Sequence, residues 1–125
     1  MKKKILVCGA GGFIGHHLVN KLVEQGHYVI GADIKQPAFE PTNAQEFFQV
    51  DLRNPDFVAG CVSKDLDEIY QLAADMGGTG YIGIGEHDSD IMHNSALINL
   101  NVLHEATKKG IRKILYTSSA CVYPE

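Results

Sequence analysis

Several common kinds of functional site find no support in this sequence. The three cysteines, Cys8, Cys61 and Cys121, form no Cys-x-x-Cys pair, so neither a zinc site nor a disulfide framework is indicated. The six histidines are scattered along the chain, which gives no sign of a metal cluster. Acidic residues outnumber basic ones by 15 to 11, for a formal net charge of -4. That balance argues against a nucleic-acid partner.

Long apolar runs are also missing. No stretch approaches the roughly 20 residues that a membrane-spanning helix needs. Three lysines follow Met1, but the apolar run at residues 5–7 is too short for the hydrophobic region of a signal peptide. We therefore expect a cytoplasmic protein with no membrane partner. With 125 residues and 45% apolar content, residues 1–125 are expected to form one domain of ordinary size.

What the sequence does contain is a glycine-rich stretch between a strand pattern and a helix pattern. Residues 5–7 have the character of a short buried strand, and apolar residues at helical spacing occupy residues 16–25. Between them lie Gly9, Gly11, Gly12 and Gly15. Glycines permit a tight turn and a close approach to a pyrophosphate, which the N-terminus of the following helix attracts. The stretch predicts a dinucleotide-binding turn, with a ligand-free turn as the alternative.

The glycine spacing indicates a family. Gly9, Gly12 and Gly15 form Gly-x-x-Gly-x-x-Gly, whereas the Gly-x-Gly-x-x-Gly spacing fails at Ile14. The first spacing resembles the short-chain dehydrogenase/reductase superfamily, in particular its extended, sugar-nucleotide-modifying branch. That resemblance implies an NAD-binding Rossmann domain, with Phe13 and Ile14 of the turn also beside the cofactor.

The second predicted strand, residues 28–33, ends in Asp33, about 20 residues after the turn. A dinucleotide fold places an acidic residue there, where its carboxylate accepts from the adenosine ribose 2′-hydroxyl and repels a 2′-phosphate. The expected cofactor is therefore NAD rather than NADP, with Asp33 and the adjoining Ile34 in contact with it. Lys35 is a weak signal in the opposite direction, and a solvated turn aspartate is the alternative reading of Asp33.

Strand and helix patterns alternate along the rest of the chain. Further strands are predicted at residues 46–50, 67–74 and 112–116, and further helices after Asn54-Pro55 and over residues 89–109, the latter capped by Ser89. The first of these helices is expected to bury a stripe of Phe57, Val58, Cys61 and Val62. This alternation predicts an α/β fold: a Rossmann-type doubly wound parallel sheet with strand order 3-2-1-4-5, truncated after the fifth strand.

The ends of the third and fourth predicted strands extend the resemblance. An Asp-Leu pair after the third strand resembles the adenine contact of the extended family, made by the aspartate side chain and the leucine backbone. A Leu-Ala-Ala segment ends the fourth strand and resembles the family's His-x-Ala-Ala segment along the cofactor, with Gln71 where histidine is common. The cofactor contacts that this resemblance implies are Asp51, Leu52, Leu72, Ala73 and Ala74.

Two later stretches resemble the GDP-mannose 3,5-epimerase group. They are residues 74–82, which contain Asp-Met-Gly-Gly, and residues 118–125, which contain Ser-Ser-Ala-Cys-Val-Tyr. The resemblance implies that Gly77 and Ala120 contact the substrate. It also implies that Ser119 hydrogen-bonds the sugar and that Cys121 moves a proton beside a transient ketone. A thiol suits that task when a neighbour lowers its pKa, while a buried structural cysteine is the alternative.

One feature of that family is missing from these 125 residues. The family needs a Tyr-x-x-x-Lys pair, and none of the five tyrosines has a lysine four positions later. We therefore expect the N-terminal part of a longer NAD-dependent epimerase, inactive by itself. The full-length enzyme would be a homodimer that acts on a GDP-mannose-type nucleotide-sugar. The alternatives are a truncated dehydratase or 4-epimerase of the same branch, and a stand-alone NAD-binding regulatory module.

Overall fold

The computed structural model describes residues 2–38, 40–73 and 88–116, without the side chains of residues 88–93 and 95. Its strands and helices are, in chain order, β1 Lys4–Cys8, α1 Phe13–Glu24, β2 Tyr28–Asp33, β3 Glu46–Gln49, α2 Pro55–Cys61, β4 Glu68–Gln71, α3 Asp88–Lys109 and β5 Lys113–Tyr116. Each predicted strand and helix in the described ranges is present, and β2 has the predicted bounds.

The strands form one parallel sheet in the order β3-β2-β1-β4-β5. This confirms the predicted α/β doubly wound sheet of the Rossmann type. The strand order reverses between β1 and β4, which is where sheets of this kind bind ligands. Cys8 lies opposite Ala32 of β2 and Gln71 of β4, so the carboxyl ends of the three central strands meet at one edge.

The side chains of β1 alternate between the two faces of the sheet, as the two-residue period of a strand requires. On one face Ile5 and Val7 pack in a cluster with Val19 and Leu22 of α1. On the other, Leu6 and Cys8 pack in a cluster with residues of α2 and α3. The members of this second cluster from the helices are Val58, Cys61, Ile98, Val102 and Ala106. The chain therefore has helices on both faces of the sheet.

Glycines end both long helices. Gly26 follows α1 with a φ of 92°, and its N–H donates to Val23 O at 2.9 Å. The next N–H, that of His27, donates to Leu22 O at 3.1 Å, so two carbonyls of the last turn of α1 are satisfied. Gly110 ends α3 in the same way, with a φ of 74°. Asn54 caps α2 by accepting from Asp56 N–H at 2.9 Å.

The structure corrects several predicted boundaries. The helix α1 begins at Phe13 rather than at residue 16, because Gly12 N–H closes the turn onto Gly9 O at 3.1 Å and the helix starts at once. The strands are shorter than predicted: β3 ends at residue 49, β4 covers only residues 68–71 and β5 starts at residue 113. The helix α3 begins at residue 88, so Ser89 lies inside it rather than capping it.

Two predictions about cysteine and apolar packing have different outcomes. Cys61 is buried, and burial raises the pKa of its thiol to about 11, so it is a core residue as expected. Phe57 does not join the buried stripe of α2, because its side chain is 48% exposed. The short α2 presents only one side to the sheet, and Val58, Cys61 and Val62 occupy it.

Within the described ranges, none of the helices is both long and apolar enough to cross a bilayer. The same part of the chain brings no three histidine, cysteine, aspartate or glutamate side chains into a group able to hold a metal ion.

Candidate functional site

The glycine-rich turn joins β1 to α1 at the edge where the strands end. Gly9 has a φ of 86°, and its N–H donates to Ala32 O of β2 at 2.7 Å. Gly12 has an extended backbone and is the N-cap of α1, so no side chain caps the N-terminus of this helix. The first-turn N–H groups of α1, those of Phe13, Ile14 and Gly15, have no partner within the helix. The structure describes every residue of that first turn, and none of them is acidic. The helix end can therefore attract an anion.

The four positions of the turn are occupied by glycine for different structural reasons. A Cβ atom at Gly11 would lie 2.0 Å from Lys35 O, and one at Gly15 would lie 2.0 Å from Gly9 O. Gly9 is held in a left-handed conformation, and a Cβ there would lie 2.8 Å from Ala73 N. A Cβ at Gly12 would meet only Gly9 O, at an ordinary 3.4 Å. The fold thus requires three of these glycines and leaves room for a side chain at Gly12.

Asp33 is fastened to the turn from the end of β2. Its Oδ2 accepts from Gly11 N–H at 2.8 Å, and its Oδ1 accepts from Ile34 N–H at 2.6 Å. The Lys35 N–H lies 3.4 Å from the same Oδ1. The predicted ribose-binding carboxylate is therefore oriented by backbone donors, beside the glycine turn. Ile34 is 60% exposed next to it.

A cleft of about 440 Å³ opens between the start of α1 and the segment after β2. We call it the turn cleft; its lining includes Gly12, Lys35 and Glu40. The side chain of the buried His16 reaches Glu40, with 2.7 Å between Nε2 and Oε1. This hydrogen bond lowers the pKa of the Glu40 carboxyl and ties the segment to α1. The cleft volume is in the range of small-molecule pockets.

The predicted adenine contacts lie one strand further out, after β3. The Asp51 carboxylate is held by Arg53, with Nη2 at 2.6 Å from Oδ2 and Nε at 3.0 Å from Oδ1. That hydrogen bonding holds the pKa of Asp51 below its usual range. Leu52 is buried, and its carbonyl accepts from Asn101 Nδ2 at 3.0 Å. Neither residue lines the turn cleft.

On the other side of the turn, the segment after β4 lies against Gly9. Leu72 N–H donates to Cys8 O at 2.9 Å, which continues the pairing with β1. A Cβ at Gly9 would lie 2.8 Å from Leu72 C and 3.0 Å from Ala73 Cα. Leu72 and Ala73 thus border the turn, and their contact with the cofactor stays a prediction. The predicted site residues that lie outside the described residues are Ala74, Gly77, Ser119, Ala120 and Cys121.

Sequence reasoning did not assign a role to Gly11 or to the His16–Glu40 pair. Gly11 occupies an unspecified position of the Gly-x-x-Gly-x-x-Gly spacing, and its close approach to Lys35 O appears only in three dimensions. The available signal in the sequence was that Gly11 is a glycine in addition to the three that form the spacing. No local pattern marks His16 as the partner of Glu40, which lies in an irregular segment.

A parallel sheet with this strand order, a glycine turn at the switch point and an oriented acid at the end of β2 define a dinucleotide-binding fold. The model of the NAD dependent epimerase/dehydratase family matches residues 5–125. The chain belongs to that family.

Curated relatives narrow the comparison. The chain is 42% identical over 128 residues to GDP-mannose 3,5-epimerase 1 of Oryza sativa subsp. indica, covering 99% of this chain and 32% of the relative. It is 42% identical over 126 residues to GDP-mannose 3,5-epimerase of Arabidopsis thaliana, covering 98% and 32%. The chain therefore spans about a third of the length of these relatives.

Solved structures agree with the fold. One is UDP-glucose 4-epimerase with UDP-glucose from Thermotoga maritima, at a TM-score of 0.79 and 26% identity. The match covers 93% of this chain and 38% of that one.

Proposed function

We propose that this chain binds NAD across the glycine turn and forms the NAD-binding part of a nucleotide-sugar epimerase of the GDP-mannose 3,5-epimerase type. The 42% identity to two relatives with that name supports the substrate class. Gly12, the first turn of α1 and Asp33 would hold the NAD, which would supply reversible hydride transfer with the sugar. That residues 1–125 are one domain, that the whole protein is a homodimer and that it is cytoplasmic stay predictions.

Gly12 carries the proposal. The fold leaves room for a side chain there, since an added Cβ would make only an ordinary 3.4 Å contact. The same residue lines the turn cleft, directly before the first turn of α1. A glycine at this point allows a pyrophosphate to approach the backbone closely. The lack of a side chain is therefore explained by a ligand better than by the fold.

The neighbouring groups match the rest of an NAD molecule. The first-turn N–H groups of α1 suit the negative pyrophosphate. The Asp33 carboxylate, held by Gly11 N–H at 2.8 Å, suits the adenosine ribose hydroxyl and disfavours a 2′-phosphate. Asp51 and Leu52 would bind adenine after a change of the Asp51 side chain, whose oxygens are now bound by Arg53. The cofactor would therefore be NAD rather than NADP.

The substrate-side roles rest on the family resemblance. Ser119 would hydrogen-bond the sugar, and Gly77 and Ala120 would contact the nucleotide-sugar. Cys121 would give and take the proton beside the transient ketone, and Ala74 would lie along the cofactor. A thiol is suited to proton exchange near neutral pH when its pKa is lowered by a neighbour.

The experiment compares two glycine-to-valine variants by calorimetric titration with NAD. Gly12→Val places an isopropyl group in the turn cleft. Gly60→Val is the matched control, because an added Cβ at the exposed Gly60 of α2 meets nothing within 4 Å. We expect Gly12→Val to abolish measurable NAD binding and Gly60→Val to retain it. Thermal unfolding without ligand checks that both variants fold. Equal NAD affinity in the wild type and in a folded Gly12→Val chain would contradict the proposal.

A further inference from the structure

At the end of β4 one buried amide holds the backbone that borders the glycine turn. Gln71 is 1% exposed. Its Oε1 accepts from Ala73 N–H at 3.1 Å, and its Nε2 donates to Ala73 O at 2.9 Å. The same Nε2 also donates to Asn99 Oδ1 of α3 at 2.8 Å. Both amide hydrogens and the amide oxygen of Gln71 are therefore in use.

Ala73 receives these bonds because the sheet ends before it. The strand β4 ends at Gln71, which lies opposite Cys8 of β1 and Tyr116 of β5, and Leu72 N–H makes the last bond to β1. Backbone N–H and C=O groups that leave a sheet in a half-buried position still need partners. The Gln71 side chain supplies both, in the place of a neighbouring strand.

A glutamine amide satisfies all three of these bonds at once. A carboxylate in the same place has no hydrogen to donate to Ala73 O or to Asn99 Oδ1. A neutral histidine has one ring N–H, whereas Gln71 makes two donations. Gln71 stands where the family commonly has histidine. The second N–H that glutamine provides has its acceptor in Asn99, 28 residues further along the chain.

The held segment forms one side of the groove at the switch point. The Ala73 nitrogen is so near Gly9 that a Cβ atom added to Gly9 would lie 2.8 Å from this nitrogen. A dinucleotide that binds where the strand order reverses has one half over β1 and β2 and the other over β4 and β5. Ala73 therefore lies beside the half of such a ligand that is over β4 and β5, whereas Asp33 lies beside the half that is over β1 and β2.

We propose that Gln71 is a positioning residue for the dinucleotide, which fixes the Leu72–Ala73 backbone against the glycine turn and connects it through Asn99 to α3. The inference rests on the proposed NAD site. Because ADP extends only from Asp33 to the turn, the Gln71 amide should affect binding of NAD and leave binding of ADP nearly unchanged. A purely structural role would weaken both ligands alike.

The test is calorimetric titration of the 125-residue chain and of Gln71→Glu with NAD and with ADP. Gln71→Glu keeps the shape and the acceptor for Ala73 N–H but loses both donations. We expect NAD to bind about tenfold more weakly, and ADP to bind within about twofold of the wild type. Unchanged NAD affinity, or an equal loss for NAD and ADP, would overturn the inference.

A pair of variants at Asn99 keeps the test decisive if Gln71→Glu does not fold. Asn99→Leu removes the acceptor for Gln71 Nε2, and we expect about threefold weaker NAD binding with ADP unchanged. Asn99→Asp keeps an acceptor and should restore the wild-type value. Equal NAD affinity in these two variants would overturn the inference. A wild-type chain that binds neither ligand would instead refute the NAD site itself.

Discussion

Replacing Asp33 by asparagine should change both the choice of dinucleotide and the stability of the turn. The carboxylate accepts from Gly11 N–H at 2.8 Å through one oxygen and from Ile34 N–H at 2.6 Å through the other. An asparagine has a single acceptor oxygen, so one of these backbone donors faces the NH₂ group instead. We expect the free energy of unfolding to fall by about 1.5–3 kcal/mol, the cost of one lost bond to a charged acceptor.

The selectivity change follows from the lost negative charge. Asp33 is expected to repel a 2′-phosphate, and asparagine does not. The ratio of the NADP dissociation constant to that of NAD should fall by a factor of about 5 to 150, which corresponds to a loss of about 1–3 kcal/mol of discrimination. Calorimetric titration of Asp33→Asn and of the wild type with both dinucleotides measures this ratio, and urea unfolding measures the stability.

Asp51→Asn is the control for that experiment. Asp51 lies after β3 and is held by Arg53, with 2.6 Å between Oδ2 and Nη2. Its proposed contact is with adenine, which NAD and NADP share, so its loss should weaken both alike. If Asp33→Asn leaves the NAD/NADP ratio unchanged, Asp33 does not read the ribose.

Two further predictions concern ionisation and catalysis. The Lys3 ammonium, 2.6 Å from Glu68 Oε2, lowers the pKa of that carboxyl. The ion pair therefore contributes its full stabilisation above pH 4.5, the ordinary glutamate pKa. That contribution is lost as the pH falls through the lowered pKa of Glu68. Urea unfolding should find Lys3→Met less stable than the wild type at neutral pH, with a difference that narrows as the pH falls below 4.5; a difference that is the same at every pH would refute the pairing. In deuterated water with GDP-mannose and NAD, the 125-residue chain should place no deuterium in the sugar, because it has no Tyr-x-x-x-Lys pair. Label appearing at turnover rates would reveal a base within these residues.

The sheet was predictable because its signals are local. The β2 strand is a buried run bounded by Gly26 and Asp33, and both of its ends were predicted correctly. The glycine spacing indicated the turn, and alternation of strands and helices indicated the parallel order. The start of α1 was missed because Phe13 and Ile14 are 69% and 70% exposed, so they fall outside its apolar face.

The details of the candidate site depend on contacts that a local pattern does not contain. Gly11 must be glycine because Lys35 O, 24 positions away, would lie 2.0 Å from a Cβ. Gln71 counted as an imperfect match to the family until its bond to Asn99 was visible. The sequence alone identified the residue types at the strand ends, whereas their hydrogen-bond partners were identified only from the three-dimensional structure.

The most direct test of the NAD site is a titration of the ¹⁵N-labelled chain with NAD, followed by the backbone amide resonances. The account predicts that the N–H signals of Phe13, Ile14 and Gly15 shift most, since these first-turn groups would hold the pyrophosphate. The signal of Gly60 in α2 should stay in place. Shifts confined to residues away from the glycine turn, or no shifts at millimolar NAD, would contradict the account.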